Sequence, residues 1–267
     1  MIGHLCERFA PWLTAMAAVL LWWAMVLVFD VPNYVLPSPW EAIAALYEYR
    51  FALSVHGLST LWTTFMGFAV AVVVGMILGI LVGSSRLAYR ALYPLLIAFN
   101  SVPKAALVPI FVIWFGVGKV PGVLTAFMLS FFPVVANVAT AFATIEPELL
   151  EVMRSLGATK RDITLKVGIP RSLPYFFASL KIAITLAFVG TVIAEIVAGN
   201  SGIGNVMLVA SSNFNVPLVF AALIVVSIMG VGMYSVSDFI ERRLTSWSVR
   251  PQGAAVADRG QLASAGA

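Results

Sequence analysis

The chain has 267 residues, 61% hydrophobic and only 10% charged, with a mean hydropathy of +0.99 and a formal net charge of +4. Soluble domains carry about 25% charged residues, so the composition excludes a water-soluble globular protein and gives an integral membrane protein. A single cysteine, Cys6, excludes an internal disulfide and any CxxC metal or redox pair, and basic residues spread along the chain argue against a nucleic-acid-binding patch.

Runs without Asp, Glu, Lys or Arg cover Pro11 to Phe29, Phe51 to Ser85, Ala105 to Gly118, Val120 to Ile145, Ile182 to Ala194 and Ile196 to Ser237. They leave room for about six helices of roughly 20 residues each, enough to cross a hydrocarbon core. The pattern predicts one all-α membrane domain over 1–247, with spans near 11–30, 60–83, 91–117, 120–143, 177–198 and 216–240. The first apolar run continues through Trp22 and Trp23 without a small-x-small cleavage site, which favours a retained span over a cleaved signal peptide. With a cytoplasmic N-terminus and six spans, Arg50 and Lys119 fall outside, Lys104 is unplaced, and every other Lys and Arg falls inside. That asymmetry follows the positive-inside rule and puts both termini in the cytoplasm.

After the first span, Pro32, Pro37 and Pro39 predict an irregular turn, followed by a short interfacial helix over Trp40 to Tyr47. In the second span Gly75, Gly79 and Gly83 recur every four residues, placing three missing side chains on one helix face, a packing surface for another backbone. In the third, Pro103 and Pro109 flank Lys104. The backbone carbonyls freed by two prolines this close are tolerable at membrane depth only against protein or a water-filled cavity, so Lys104 is read either as a pathway residue or as a lysine snorkelling to the surface. The fifth span carries Glu195 14 residues after Lys181, about 21 Å along a helix, so Glu195 sits near the outer end. It reads as a gate or docking group, or as a hydrated interfacial carboxylate. Gly199 to Gly204 then holds too much glycine to continue the helix. Residues 248–267, rich in Ala, Gly, Ser and Gln, are expected to be a disordered tail.

Between the fourth and fifth spans lies a connector, about 146–171, that cannot lie in the bilayer. Pro147 suits a first helical turn, Leu149, Leu150, Met153 and Leu156 share one face, and Gly157 is placed to end that helix in a left-handed conformation. Thr159 and Asp162 form a capping-box pattern that starts a second short helix, expected to stop at Gly168 and Pro170. A helix-turn-helix with an apolar face on the cytoplasmic side must cover span ends, lipid or a partner's groove.

The connector resembles the signature of inner-membrane permease subunits of binding-protein-dependent ABC importers: Glu-Ala-Ala, three residues, Gly, nine residues, Ile-x-Leu-Pro. Here Glu151-Val152-Met153 is followed after three residues by Gly157 and after nine more by Val167-Gly168-Ile169-Pro170. The spacing is complete, with four conservative apolar differences. Leu36-Pro37-Ser38-Pro39, Pro103 to Pro109, Trp114 to Gly118 and Ser201-Gly202-Ile203-Gly204 resemble the nitrate, sulfonate and taurine branch. The resemblance implies a type I importer permease, with a MetI-like fold, in the bacterial inner membrane. It would act as a homodimer beside two ABC ATPase subunits and a periplasmic or lipid-anchored binding protein. It implies that Glu151, Gly157, Ala158 and Pro170 couple to the ATPase, that Pro103, Lys104 and Glu195 line a pathway or gate, and that Ser201, Gly202 and Gly204 face the binding protein. ATP would belong to the partner, and this chain would hold no cofactor, metal or catalytic residue of its own. The substrate implied is a small anion such as a sulfonate, taurine or nitrate, with pyrimidine- or riboflavin-like precursors as the alternative. An intramembrane enzyme is disfavoured because His4 and His56 lie far apart without a zinc motif and Gly118-Lys119 lacks the rest of a P-loop. A secondary transporter is disfavoured because no internal repeat accompanies the isolated charges.

Overall fold

The computed structural model describes residues 2–245, and every regular element among them is helical. In chain order these are α1 (Ile2–Val28), α2 (Pro39–Glu48), α3 (Arg50–Gly83), α4 (Arg86–Ser101), a 3₁₀ turn (Lys104–Leu107), α5 (Val108–Phe115), α6 (Lys119–Ala143), α7 (Pro147–Ser155), α8 (Lys160–Ile163), a wide π-type turn (Thr164–Gly168), α9 (Ile169–Ala198), α10 (Ile203–Ser212) and α11 (Val216–Leu244). The tail expected at 248–267 lies outside the described residues.

Four helical stretches among the described residues are long and apolar enough to cross a membrane: Arg50–Gly83, Lys119–Ala143, Arg161–Ala198 and Val216–Leu244. A fifth crossing is a broken pair, Arg86–Ser101 and Lys104–Phe115, bent by 72°. The expected first span falls on α1, whose apolar portion Leu13–Val28 is shorter. The third span is therefore not the straight helix expected at 91–117. Pro103 forces Val102 into extended backbone (φ −67°, ψ 129°), which ends α4, and Pro109 then sits in the first turn of α5, where its missing N–H costs nothing.

The second connector helix also departs from expectation, because Gly168 and Pro170 do not stop it. The backbone passes through the π-type turn with Gly168 at helical dihedrals (φ −61°, ψ −55°) and continues into α9. Pro170 occupies the first turn of α9, where a proline has no intrahelical donor to lose, and the Ile169 N–H bonds Thr164 O across the widened turn.

The core is the packing of α3, α6 and α9. Ala71, Val134, Val135, Val138, Ala139, Ala183 and Ala187 are at most 1% exposed. In lipid the hydrocarbon is as apolar as the side chains, so helices associate through close van der Waals contact, which small residues allow. A Cβ added at Gly75 would stand 2.9 Å from Val134 Cβ, one at Gly79 2.7 Å from Val138 Cβ, and one at Gly83 2.6 Å from Phe142 Cβ. The α3 stripe is thus filled by successive α6 side chains. α6 approaches α9 as closely, since a Cβ at Gly190 would lie 3.0 Å from Thr125 O. α2 is held by the Ser38–Glu41 capping box and packs with α11 through Ala45, Leu53, Ile203, Ala221 and Ala222. Trp22 of α1 donates to Pro37 O at 3.1 Å.

Replacing Gly79 by Leu is expected to force α3 and α6 apart and cost about 2 kcal/mol, as overpacking does. Thermal unfolding of the purified chain checks this, with Gly232→Ala as a control of little effect because no atom lies within 4 Å of a Cβ there.

Candidate functional site

The connector forms one end of the site. α7 closes with the Ala158 N–H bonded to Met153 O at 3.0 Å and the Gly157 N–H to Arg154 O at 2.9 Å, the two bonds of a Schellman cap. The cap needs Gly157 in the left-handed region, where its φ is 78° and no atom stands within 4 Å of an added Cβ. Thr159 and Asp162 start α8: the Asp162 N–H donates to Thr159 Oγ1 at 3.2 Å, while the Thr159 N–H and hydroxyl donate to Asp162 Oδ2 at 3.1 and 2.6 Å. Asp162 also pairs with Lys166 at 3.1 Å. Both caps satisfy backbone groups from within the loop, and Arg171 of α9 pairs with Glu146 at the loop's start at 3.3 Å. Glu151, exposed, shares a pocket of about 800 Å³ with Arg86, Arg90 and Arg154 between the connector and the start of α4. Pro170 lies 13 residues beyond Gly157, at the base of α9.

At the far end of α9, Glu195 is 5% exposed and takes two hydrogen bonds on Oε2, from Thr60 Oγ1 at 2.9 Å and the Gly204 N–H at 3.1 Å. Thr60 Oγ1 accepts in turn from the Ile203 N–H at 2.9 Å, and His56 Nδ1 accepts from the Gly202 N–H at 3.0 Å. Helix starts leave their first N–H groups without intrahelical partners. Here Gly202, the N-cap of α10, has no side chain to supply, and three α3 and α9 residues cap the helix instead. Gly202 is required twice over: its φ is 99°, and a Cβ would run into the Glu195 carboxyl. Ser201 meets Ser59 of α3 at 3.3 Å, and Thr64 donates to Thr191 of α9 at 3.0 Å. Glu195 is therefore an engaged, buried group and not a hydrated interfacial carboxylate.

Lys104 sits at the bend of the broken span. Its Nζ donates to Asn100 O and Oδ1, both at 2.8 Å, and so caps the C-terminal end of α4, where a helix dipole favours a cation. Lys104 and Glu195 stand on different elements and share no bond. Sequence reasoning found Glu195, Ser201, Gly202 and Gly204 but missed α10 and the polar groups that hold its start. The signal was present as His56, Ser59, Thr60, Thr63 and Thr64, a polar stripe at helical spacing in an otherwise apolar span.

Residues 71–246 match the family model described as binding-protein-dependent transport system inner membrane component. The chain belongs to that family. A formylaminopyrimidine transport permease protein of Halalkalibacterium halodurans is 30% identical over 90% of this chain and 96% of its own length. A riboflavin transport system permease protein of Chloroflexus aurantiacus is 31% identical over 88% of each chain. A permease of Bacillus subtilis named for aliphatic sulfonate transport is 29% identical over 80% of this chain and 78% of its own. An inward-facing structure of the MetNI methionine ABC transporter has the same fold, with a TM-score of 0.63 over 74% of this chain and 98% of that chain at 22% identity. The protein is an ABC importer permease, a transport subunit whose ATP is hydrolysed by a separate ATPase partner.

One further cluster ties this permease together near the connector side. Lys181 of α9 pairs with Asp238 at 3.1 Å and Glu241 at 2.7 Å on α11, and Asp238 also pairs with Arg242 at 2.7 Å. The side chains of Lys181, Asp238 and Glu241 are each less than a quarter exposed, so removing Lys181 leaves Glu241 poorly solvated beside an Asp238 held by Arg242 alone. Lys181→Met is expected to destabilise the permease by about 2 kcal/mol while Lys181→Arg is tolerated, as read from thermal unfolding in detergent. Thr60→Val keeps the shape but removes the donor to Glu195 and the acceptor for Ile203. Amide exchange at Gly202 to Gly204 is expected to quicken about tenfold or more, with exchange in α6 unchanged.

Proposed function

We propose that this permease works as a homodimer in the bacterial inner membrane, with both termini in the cytoplasm, its substrate pathway at the subunit interface, and two ATPase subunits and one binding protein as partners. The six expected spans, with α1 as the first, belong to this reading. The observation that carries it is the connector: a rigid, self-capped turn at Gly157 that leads through α8 and the π-type turn into α9 without a flexible break. A force applied at the turn then reaches the end of a long span with little slack. Glu151 supplies charge for a basic position on the ATPase, Gly157 and Ala158 keep the turn narrow enough to enter a cleft, and Pro170 marks where the connector meets the span.

At the other end, the loop of Ser201, Gly202 and Gly204 faces the binding protein, and Glu195, which holds that loop to α3, acts in the gate. Lys104, following Pro103 at the bend of the broken span, brings a positive charge to the pathway and favours an anion. The substrate proposed is a small anion such as a sulfonate, taurine or nitrate, in keeping with the sulfonate-named relative. Relatives named for formylaminopyrimidine and riboflavin transport, 30% and 31% identical over 90% and 88% of this chain, support import of a pyrimidine- or riboflavin-like precursor as the second reading.

Gly157→Asp tests the coupling role. Space around Gly157 is open, and Asp tolerates left-handed backbone better than most residues, so the fold and membrane insertion are expected to persist. Uptake into membrane vesicles is expected to fall to background while the partner's ATP hydrolysis continues; undiminished uptake would overturn the assignment.

A further inference from the structure

A pocket of about 700 Å³ opens beside the α10 start, lined on one side by Lys119, His56, Ser59 and Ser201 and on the other by apolar side chains that include Trp62 and Phe65. We propose that it binds a small organic anion, the oxyanion head against Lys119 and His56 and the apolar body against Trp62. The volume lies within the roughly 300–1,000 Å³ usual for small-molecule sites, and a mostly apolar wall with a few converging polar groups is their usual build.

The polar side of the pocket is made almost wholly of donors. His56 accepts the Gly202 N–H on Nδ1, so the neutral ring carries its proton on Nε2, where it can donate. The Ser59 and Ser201 hydroxyls are 3.3 Å apart, and one donor serves that bond while the other remains for a ligand. Lys119, the exposed first residue of α6, has no carboxylate of a described residue within ion-pairing distance. The nearest acid along the wall, Glu195, is buried behind it, with the Thr60 hydroxyl and Gly204 N–H already on its Oε2. The lining thus carries a positive charge that the buried Glu195 offsets only through space, and it includes no carboxylate, which favours an oxyanion over a cation at that wall. Phe65 also lines an adjoining apolar cleft of about 390 Å³ between α3, α9 and α11, so a longer apolar body has room to extend. The inference rests on the transport reading and deepens it by placing the proposed anion at a defined pocket.

Binding can be measured on the full-length chain in nanodiscs, without ATPase or uptake, so its failure and a failure of coupling are separate results. The probe is 4-nitrobenzenesulfonate, which quenches tryptophan. Saturable quenching is expected in nanodiscs of zwitterionic lipid, lost in Trp62→Phe, weakened about tenfold in Lys119→Gln and retained in Lys119→Arg. Lys119 is exposed, so these variants leave the packing intact. Equal binding of the neutral 4-nitrobenzenesulfonamide, or equal affinity in Lys119→Gln, overturns the proposal. Competitive loss of the probe when phosphatidylglycerol is added to the nanodisc assigns the site to a lipid phosphate and overturns the solute reading.

Discussion

Backbone polar groups buried away from water must find partners inside the protein, and the start of α10 is where this chain meets that demand most heavily. Three successive N–H groups, at Gly202, Ile203 and Gly204, point away from any helix that could satisfy them. A hydrated surface loop could hand them to water. Here they go to His56, Thr60 and Glu195, three side chains from two other helices. A carboxylate is the strongest of these acceptors, and it is tolerated in the interior because Thr60 and Gly204 both donate to it. The same arrangement excludes any side chain at position 202, so the glycine, the acid and the hydroxyl form one unit that no single member could sustain.

α3 is the helix that makes the arrangement possible, because it presents two different surfaces. Toward α6 it offers absence, the glycines into which Val134, Val138 and Phe142 fit. Toward α9 and α10 it offers hydroxyls, with Thr60 and Thr64 reaching Glu195 and Thr191. The glycine surface gives contact area and fixes distance. The hydroxyl surface gives direction, because a hydrogen bond is lost when a helix rotates by a few tens of degrees whereas van der Waals contact degrades gradually. Together they set both the spacing and the rotation of the helices around α3.

Much of this was legible in the sequence because membrane insertion writes itself into composition. Charge-free runs located the long helices, and the spacing from Glu151 through Gly157 to Pro170 identified the family. The capping pattern of Thr159 and Asp162 and the stopping role of Gly157 were readable because each depends on residues within a few positions. What was not legible depended on partners far along the chain. The 72° bend at Pro103 needed a choice between a kink and a break, which two prolines permit equally. Gly168 and Pro170 read as a stop, yet the widened π-type turn removed the clash that would have made them one. The ion pairs of Lys181 with Asp238 and Glu241 join residues separated by a whole helical hairpin, and no local pattern announces them.

α9 connects these features along a single rod. It begins at the connector, is bound to α11 by Lys181 about two-fifths of the way along, packs on α6 at Gly190, and carries Glu195 in its last turn, where α10 is captured. A helix of this length resists bending, so a displacement at its base appears at its far end unless something between absorbs it. The one wide turn in its path among the described residues, Thr164–Gly168, is itself packed, because Gly168 is buried against Phe142 of α6. On the proposed reading, a displacement at the connector is therefore passed through that turn into the span and on to the clasp that holds the far loop. That ordering gives the polar knot around Glu195 its physical meaning: it joins α10 to the rod firmly enough that motion arriving from below is delivered to the loop and not lost in a loose helix end.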